Sequence, residues 1–322
     1  MTIREAVLLS AGFGTRMRPM TLGIPKPALP FLNRPVMHWA LDRLVETGIE
    51  RVLVNLHHLP DKVRETAAAY PSPVDFFFSY EPELLGTAGF LGPMKAHLRG
   101  EAFFVVNGDV LHDFSCDDLA HDLMAHPRAR ATLAVAAWTP GYTGVSLAPG
   151  GTIRGFDGGA YMFTGVYAAR RELIEHLDIP GRRELVRDLI GPLLPSGAVR
   201  GLVENGLWED LGCPAGYLGA SMRGLVRMAE GGMAAPAGSR LERLSGWPVL
   251  IHETAQVHPS TVFTGPTILG EGSVIEGAAR VGSAVFMPDT RVEAGRCIER
   301  AIVSPWGNVM VGREASIPDT KP

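Results

Sequence analysis

The stretch Ala6-Val7-Leu8-Leu9-Ser10-Ala11-Gly12-Phe13-Gly14-Thr15-Arg16 decides the fold. Its opening residues, AVLLS, form a short apolar run that stops at a glycine loop, a pattern that fits a buried strand better than a helix and places chemistry at the loop. Downstream, Val36, Trp39, Ala40, Leu44 and Val45 recur at helical spacing, Gly48 stops that helix, and Arg51 to Leu56 predicts a second strand. Strand, helix and strand in succession make a βαβ unit. The alternation continues with a helix over 61–70, a strand over 75–79, a helix over 87–98 and a strand over 102–107 that ends in Gly108-Asp109. Strands over 131–138 and 160–168 and a helix over 182–194 complete it. The expectation is an α/β domain over residues 1–226, with a mostly parallel sheet covered by helices.

Beyond that domain the pattern changes. Residues 227–248, rich in Gly, Ala and Pro, predict a linker. From Val257 the chain parses into sixes: VHPSTV, FTGPTI, LGEGSV, IEGAAR, VGSAVF, MPDTRV, EAGRCI. Most hexads open on an aliphatic or aromatic residue and carry a small residue near the middle. That period is the signature of a parallel β-helix, here a short prism of about three to four coils within residues 249–322.

Composition limits the function. The chain has 322 residues, enough for about two domains. Thirty Lys and Arg against 34 Asp and Glu give a net charge of -4, so there is no overall positive field of the kind that binds nucleic acid non-specifically. Phosphate binding has to come from a local site. Cys116, Cys213 and Cys297 stand far apart with no CxxC spacing, which argues against a disulfide framework or a thiolate zinc site. No apolar run approaches the ~18 residues of a membrane span. A soluble protein of the cytoplasm is expected.

The glycine turn matches neither of two better-known phosphate loops. A dinucleotide fingerprint wants a third glycine where Met17 stands, and GxxxxGK[ST] is absent. What distinguishes it is the continuation Arg16-Met17-Arg18-Pro19-Met20-Thr21 and then Pro25-Lys26-Pro27, which sets two fixed cations in one irregular segment beside backbone N–H groups freed by glycine.

With these residues the chain resembles the sugar-1-phosphate nucleotidyltransferases, whose opening GxGTRxxPxT and Lys-Pro pair are matched by Gly12 to Thr21 and Lys26-Pro27. The segment Glu81 to Gly89 (EPELLGTAG) resembles the base-recognition loop of mannose-1-phosphate guanylyltransferases. Asn107-Gly108-Asp109-Val110 resembles the family's metal aspartate motif, and Trp208 to Gly212 (WEDLG) its WxDxG. The resemblance covers about Ile3 to Leu218 and implies a Rossmann-like nucleotide-diphospho-sugar transferase fold; the hexapeptide tail, a left-handed parallel β-helix, also occurs in several branches.

The resemblance further implies roles. Arg16 would hold the leaving β- and γ-phosphates, and Lys26 would neutralise the α-phosphate or the incoming phosphate. Asp109 and Asp210 are hard oxygen donors suited to Mg²⁺. Nucleotide contacts would come from Ala11, Gly12, Gly14, Thr15, Glu81, Gly86 and Thr87, and sugar contacts from Asn107, Thr164 and Gly165. The partners implied are a nucleoside triphosphate, a sugar-1-phosphate and, through the prism, a second copy of the chain.

The sequence also departs from the pattern. Many relatives carry Val-Glu-Lys-Pro, whose lysine meets the sugar phosphate, yet 150–166 reads GGTIRGFDGGAYMFTGV, with only Arg154 as a cation. The usual Asn-x-Gly is replaced by Phe163-Thr164-Gly165, which resembles the muramic-acid-1-phosphate uridylyltransferases. LGTAG points to one base and sugar, the sugar loop to another. Two other classes compete: a hexapeptide acyltransferase with His252 or His258 as general base, and a non-catalytic binder of sugar nucleotides. The retained Arg16, Lys26, Asp109 and Asp210 count against the binder, which needs no leaving-group cations.

Overall fold

The computed structural model describes residues 2–177 and 181–312, which form two compact units. The first contains residues 1–13 and 37–208; the second contains 14–36 and 209–322. The chain therefore crosses between them inside the glycine turn.

The first unit is a nine-stranded sheet between helical layers. Glu5–Leu9 lies at its centre, parallel to Arg51–Leu56 on one side and to Ala102–Asn107 on the other, and Asp75–Tyr80 extends the parallel half to an edge. The other half departs from the expected parallel sheet. Tyr161–Arg170 runs antiparallel to Ala102–Asn107, to Ala131–Ala137 and to Gly144–Leu147, while Val199–Val203 runs parallel to Ala131–Ala137. The sheet is thus mixed. Alternation along each strand sends side chains to opposite faces. Ala6, Leu8, Val52, Val54, Phe104 and Val106 join one core with Met37, Leu41 and Leu44 of the helix Val36–Glu46. Val7, Leu53, Phe103 and Val105 join the other with Phe90, Leu91, Leu185 and Leu189.

Two expected helices are broken. The 87–98 segment forms two short helical turns, Gly86–Gly89 and Leu91–Met94; Pro93 has no N–H to donate to a continuous helix, and a Cβ on Gly89 would meet the Gly181 carbonyl at 2.2 Å. The 182–194 segment is a π-helix over Leu185–Ile190 followed by a 3-10 helix over Gly191–Ser196, where Pro192 and Pro195 deny the regular bonding. Phe76, Phe77 and Phe78 are half-buried on the edge strand and pack against the two cores; Arg51 lies over Phe77 and Arg64 over Phe78.

In the second unit the helix Pro214–Ala229 buries Tyr217, Leu218, Met222 and Leu225. The expected linker over 227–248 is irregular only over 230–238 and the turn at 245–246: the helix reaches Ala229, and Ser239–Leu244 pairs antiparallel with Trp247–His252. Arg240 and Arg243 are exposed on that strand, while Leu244 packs against the core of the unit.

Short parallel strands then stack into ladders. Val249 pairs with Thr267, Gln256 with Val274 and Val262 with Arg280, each 18 residues on; Thr267 with Ala284, Val274 with Arg291 and Arg280 with Cys297 follow at 17. Phe263, Leu269, Ile275 and Val281, six apart, fill the core between the ladders. The sixfold parse slips by one after Val281. Phe286, Val292 and Ile298 continue that core, whereas Glu293, expected to open a hexad, is exposed. Residues 313–322, the end of the expected prism, lie outside the described residues.

Candidate functional site

In the first unit the site residues gather at the carboxyl ends of neighbouring parallel strands, where open α/β sheets bind ligands. Leu9 stands in register with Asn107, and the Gly108 N–H donates to the Leu9 carbonyl at 2.9 Å. Gly108 has no room for a side chain, since a Cβ there would meet the Leu9 oxygen at 2.5 Å. Asp109 therefore leaves its strand directly beside the Ser10–Gly12 exit, half-buried.

Glu81 is buried at 2% exposure and ties three segments together. Asn55 Nδ2 donates to its Oε1 at 2.7 Å, and the Leu85 N–H donates to its Oε2 at 2.9 Å. Asn55 Oδ1 in turn accepts the Ser10 N–H at 2.6 Å. Both Glu81 oxygens are thus engaged in joining the first strand's exit to the loop over 81–89, so the side chain positions that loop. Asn55, which sequence reasoning did not single out, is the other half of the link.

The loop over 81–89 is clasped from one side by residues 181–185. The Ala88 N–H donates to the Arg183 carbonyl at 3.0 Å and the Arg183 N–H to the Leu85 carbonyl at 2.9 Å. Thr87 Oγ1 donates to Glu184 Oε2 and accepts the Leu185 N–H, both at 2.8 Å. Gly86, at φ 76°, sits so close that a Cβ would meet the Arg183 oxygen at 2.5 Å. Burial disfavours the Glu184 charge, but hydrogen bonds from Thr87 and Arg182 outweigh it and hold the carboxyl below its ordinary value.

Asn107 and Gly165 meet. Gly165 has φ 86°, and a Cβ on it would lie 2.5 Å from Asn107 Nδ2. Thr164 is buried, and its hydroxyl donates to the Ala134 carbonyl at 2.8 Å. Its carbonyl accepts the Trp208 indole N–H at 2.9 Å. The threonine side chain thus serves the sheet, and the backbone at Gly165 is what faces Asn107.

The second unit holds the cationic part. Gly14 takes a left-handed φ of 61°, its carbonyl accepts the Thr21 hydroxyl at 2.9 Å and the Met17 N–H at 2.8 Å, and Lys26 Cβ lies 3.5 Å from where a Cβ would stand. Arg16 and Asp210 converge over Gly212: a Cβ at that glycine would meet Asp210 Oδ1 at 2.6 Å and Arg16 Nη2 at 2.8 Å. A guanidinium and a carboxylate are therefore seated side by side although 194 residues separate them in sequence. Arg16 is exposed, Lys26 and Asp210 half-buried, so the loop presents its charges while Met17 and Met20 anchor it beneath.

Among the described residues no group of three or more His, Cys, Asp or Glu side chains could hold a metal ion. Asp109 in the first unit and Asp210 in the second are each a half-buried, hard oxygen donor, of the kind that suits a cation taking most of its ligands from phosphate and water. His252 and His258 are used alike: Nδ1 of each faces Thr254 or Ser260 Oγ at 2.9 and 2.8 Å, and those hydroxyls accept the Gly272 and Ala278 N–H groups. They close successive turns of the ladder, a structural duty that the acyltransferase reading does not need. No helix among the described residues is long and apolar enough to cross a membrane.

Residues 5–225 match the nucleotidyl transferase family. Among curated proteins, the mannose-1-phosphate guanylyltransferase of Mycobacterium tuberculosis is 32% identical over 92% of this chain and 83% of its own length. The mannose-1-phosphate guanylyltransferase 1 of Arabidopsis thaliana is 24% identical over 97% and 89%. Among solved structures, the UDP-glucose pyrophosphorylase of Acinetobacter baumanii superposes with a TM-score of 0.60 at 22% identity, covering 70% of this chain and 94% of that one. HddC of Yersinia pseudotuberculosis, complexed with GMP-PN, gives 0.59 at 20%, covering 69% and 99%. These structures share the fold.

Proposed function

The chain belongs to the nucleotidyl transferase family, and from that premise we propose that it forms an NDP-sugar and pyrophosphate from a nucleoside triphosphate and a sugar-1-phosphate, with GTP and mannose-1-phosphate as its pair. The observation that carries the choice is the 32% identity to a mannose-1-phosphate guanylyltransferase over 92% of the chain. The EPELLGTAG loop supports the same base.

In the proposed reaction an oxygen of the sugar-1-phosphate attacks the α-phosphorus in line, a new P–O bond forms, and the bond to the β-phosphate oxygen breaks with its electron pair leaving on pyrophosphate. A phosphate ester whose second pKa is about 6 is already ionised near neutrality, so the attack needs no general base. What it needs is positive charge against two anions and a leaving group. Arg16 takes the β- and γ-phosphates and Lys26 the α-phosphate. Asp109 and Asp210 would hold Mg²⁺, which when bound neutralises phosphate charge and orients the leaving group. Main-chain groups at Ala11, Gly12, Gly86 and Thr87 meet the nucleotide, with Gly14 and Thr15 beside the phosphates, and Asn107 with the Gly165 backbone meets the sugar.

The carboxy-terminal ladders form, on this reading, a short left-handed parallel β-helix beyond a catalytic domain ending near Val226. Pairing at 17 to 18 residues and burial of every sixth side chain support it. Its open end favours association with a second copy. We take the cytoplasm as the compartment, since the three cysteines are unpaired. The Phe163-Thr164-Gly165 loop favours a second reading, uridylyl transfer to muramic-acid-1-phosphate.

The test is pyrophosphate release from five nucleoside triphosphates paired with mannose-, glucose-, N-acetylglucosamine- and N-acetylmuramic acid-1-phosphates. GTP with mannose-1-phosphate is expected to give the highest kcat/KM, and Asp109→Asn to lose turnover while its circular dichroism stays native. Silence across every pair would overturn the reading; a UTP and muramic preference would replace it with the second.

A further inference from the structure

The segment between the two cations is seated on a residue that no motif marks. Pro19 and Gly23 lie between Arg16 and Lys26, in a turn closed by Leu22 N–H to the Pro19 carbonyl at 2.9 Å and Ile24 N–H to the Met20 carbonyl at 3.1 Å. The indole of Trp306 covers Gly23 so closely that a Cβ there would lie 1.9 Å from Cζ2 of its six-membered ring. One residue on, a Cβ at Gly307 would be 3.4 Å from Pro19 Cγ. Trp306 thus meets the turn just past its midpoint, and Gly307 leaves room for Pro19 before it.

Trp306 is itself presented rigidly. Ser304–Asn308 connects Cys297–Val303 to the antiparallel strand Val309–Met310, with Ile302 opposite Val309. The Ser304 hydroxyl donates to the Gly307 carbonyl at 2.6 Å, and the Gly307 N–H donates back to the Ser304 carbonyl at 3.1 Å. The same unit holds the far side of the loop. Asn33 Nδ2 donates to Ser239 Oγ at 3.2 Å and to the Leu269 carbonyl at 3.0 Å, and the Tyr217 hydroxyl donates to the Pro30 carbonyl. The loop has only isolated 3-10 turns of its own, Thr15–Met17, Met20–Leu22 and Lys26–Ala28, which have too few internal bonds to fix a shape. A cation displaced by about 1 Å costs catalysis heavily even when nothing near the reacting atoms has changed.

We propose that Trp306 is a positioning residue for nucleotidyl transfer: its ring, carried by the tip of the carboxy-terminal ladder, sets the turn that holds Arg16 and Lys26 at their spacing. This rests on the phosphate roles given to those two cations above. It also gives the carboxy-terminal element a duty within one chain, apart from any association.

Trp306 is 39% exposed, so its replacement removes no core. Trp306→Ala should raise KM for the nucleoside triphosphate by about tenfold and lower kcat by a similar factor, with KM for the sugar-1-phosphate within about twofold of wild type. Trp306→Phe, which keeps a flat ring over Gly23, should recover most of both losses. A merely structural role would instead lower the melting temperature and the active fraction, leaving the triphosphate KM unchanged. Wild-type values in active Trp306→Ala enzyme, or a fall in kcat with no change in that KM, would overturn the proposal. A wild-type protein with no activity on any pair would instead sink the catalytic reading and leave the loop's shape to be followed by limited proteolysis, where Trp306→Ala is still expected to speed cleavage between Arg16 and Lys26; unchanged cleavage would overturn the seating as well.

Discussion

Two glycine loops carry the expected nucleotide contacts, and they are held in opposite ways. Residues 81–89 are bound by directed polar links: Asn55 and Leu85 to Glu81, and Thr87 to Glu184 and Leu185. Residues 14–26 lean on shape: Met17 and Met20 buried beneath, Gly23 under an indole, Arg16 and Asp210 crowded over Gly212. The partners of the first loop lie within about a hundred residues of it; those of the second come from the far end of the chain. Hydrogen bonds fix direction and fail one donor at a time, whereas packing fails by degrees. The loop over 81–89 is therefore expected to respond to charge and acid, and the loop over 14–26 to volume.

The comparison breaks most visibly at Lys26. Its backbone is fixed by Pro25 and Pro27, so Lys26→Ala removes a charge without loosening the loop. Loss of one preorganised cation from the transition state is expected to lower kcat by about a hundredfold with thermal unfolding unchanged. A rate near wild type would show that the loop's shape, and not its charge, is what the reaction uses.

How much of this was legible in the sequence follows the same division. The parallel half of the sheet could be read because apolar runs ending in glycine have one reading; the antiparallel half could not, because Tyr161–Arg170 is as apolar as a parallel strand and its direction is set by pairing. Arg16, Lys26, Asp109 and Asp210 were visible as charges in unusual company. Glu81 was visible too, but not its hydrogen bonds with Asn55 Nδ2 and the Leu85 N–H, which join distant segments. The Gly181–Leu185 clasp and Trp306 were invisible, since contacts over a hundred to nearly three hundred residues leave no local period. The hexad count was legible, but not its slip after Val281, where Ser283 turns to φ 47° and the ladder shortens from 18 to 17.

At Glu81 the contrast can be sharpened. Alanine there strands two buried donors, Asn55 Nδ2 and the Leu85 N–H, at a cost of about 1–3 kcal/mol each. Urea unfolding of Glu81→Ala should show a loss of that order, accompanied by a raised KM for the triphosphate. Asn55→Ala removes one of those donors together with the Ser10 acceptor, so it should be less than additive with Glu81→Ala. Additive losses would mean that the two side chains do not act as one link.

The smallest effect is expected at Glu184, and acid is the way to find it. Its carboxyl lies below the ordinary value because hydrogen bonds from Thr87 and Arg182 overcome the opposing effect of burial. A depressed folded-state value gives stability that is present above the unfolded carboxylate's pKa of about 4.3 and lost as pH falls through the folded value. Asp188, which accepts the Glu184 N–H at 2.6 Å, is held down to about 2 by Arg187 and that same N–H, so its own titration lies well below the ordinary carboxylate range. Loosening of the clasp between roughly pH 4.3 and the lower folded value therefore belongs to Glu184. With its side chain 33% exposed, the contribution is a few tenths of a kcal/mol, read as about a twofold fall in the protection of the Leu185 and Ala88 amides against hydrogen exchange. Glu184→Gln should show that lower protection already at neutral pH and lose the acid step, with residues 14–26 unmoved in both proteins. An acid step that survives in Glu184→Gln would place the sensitive group elsewhere, and a matching step in residues 14–26 would erase the distinction between the two loops.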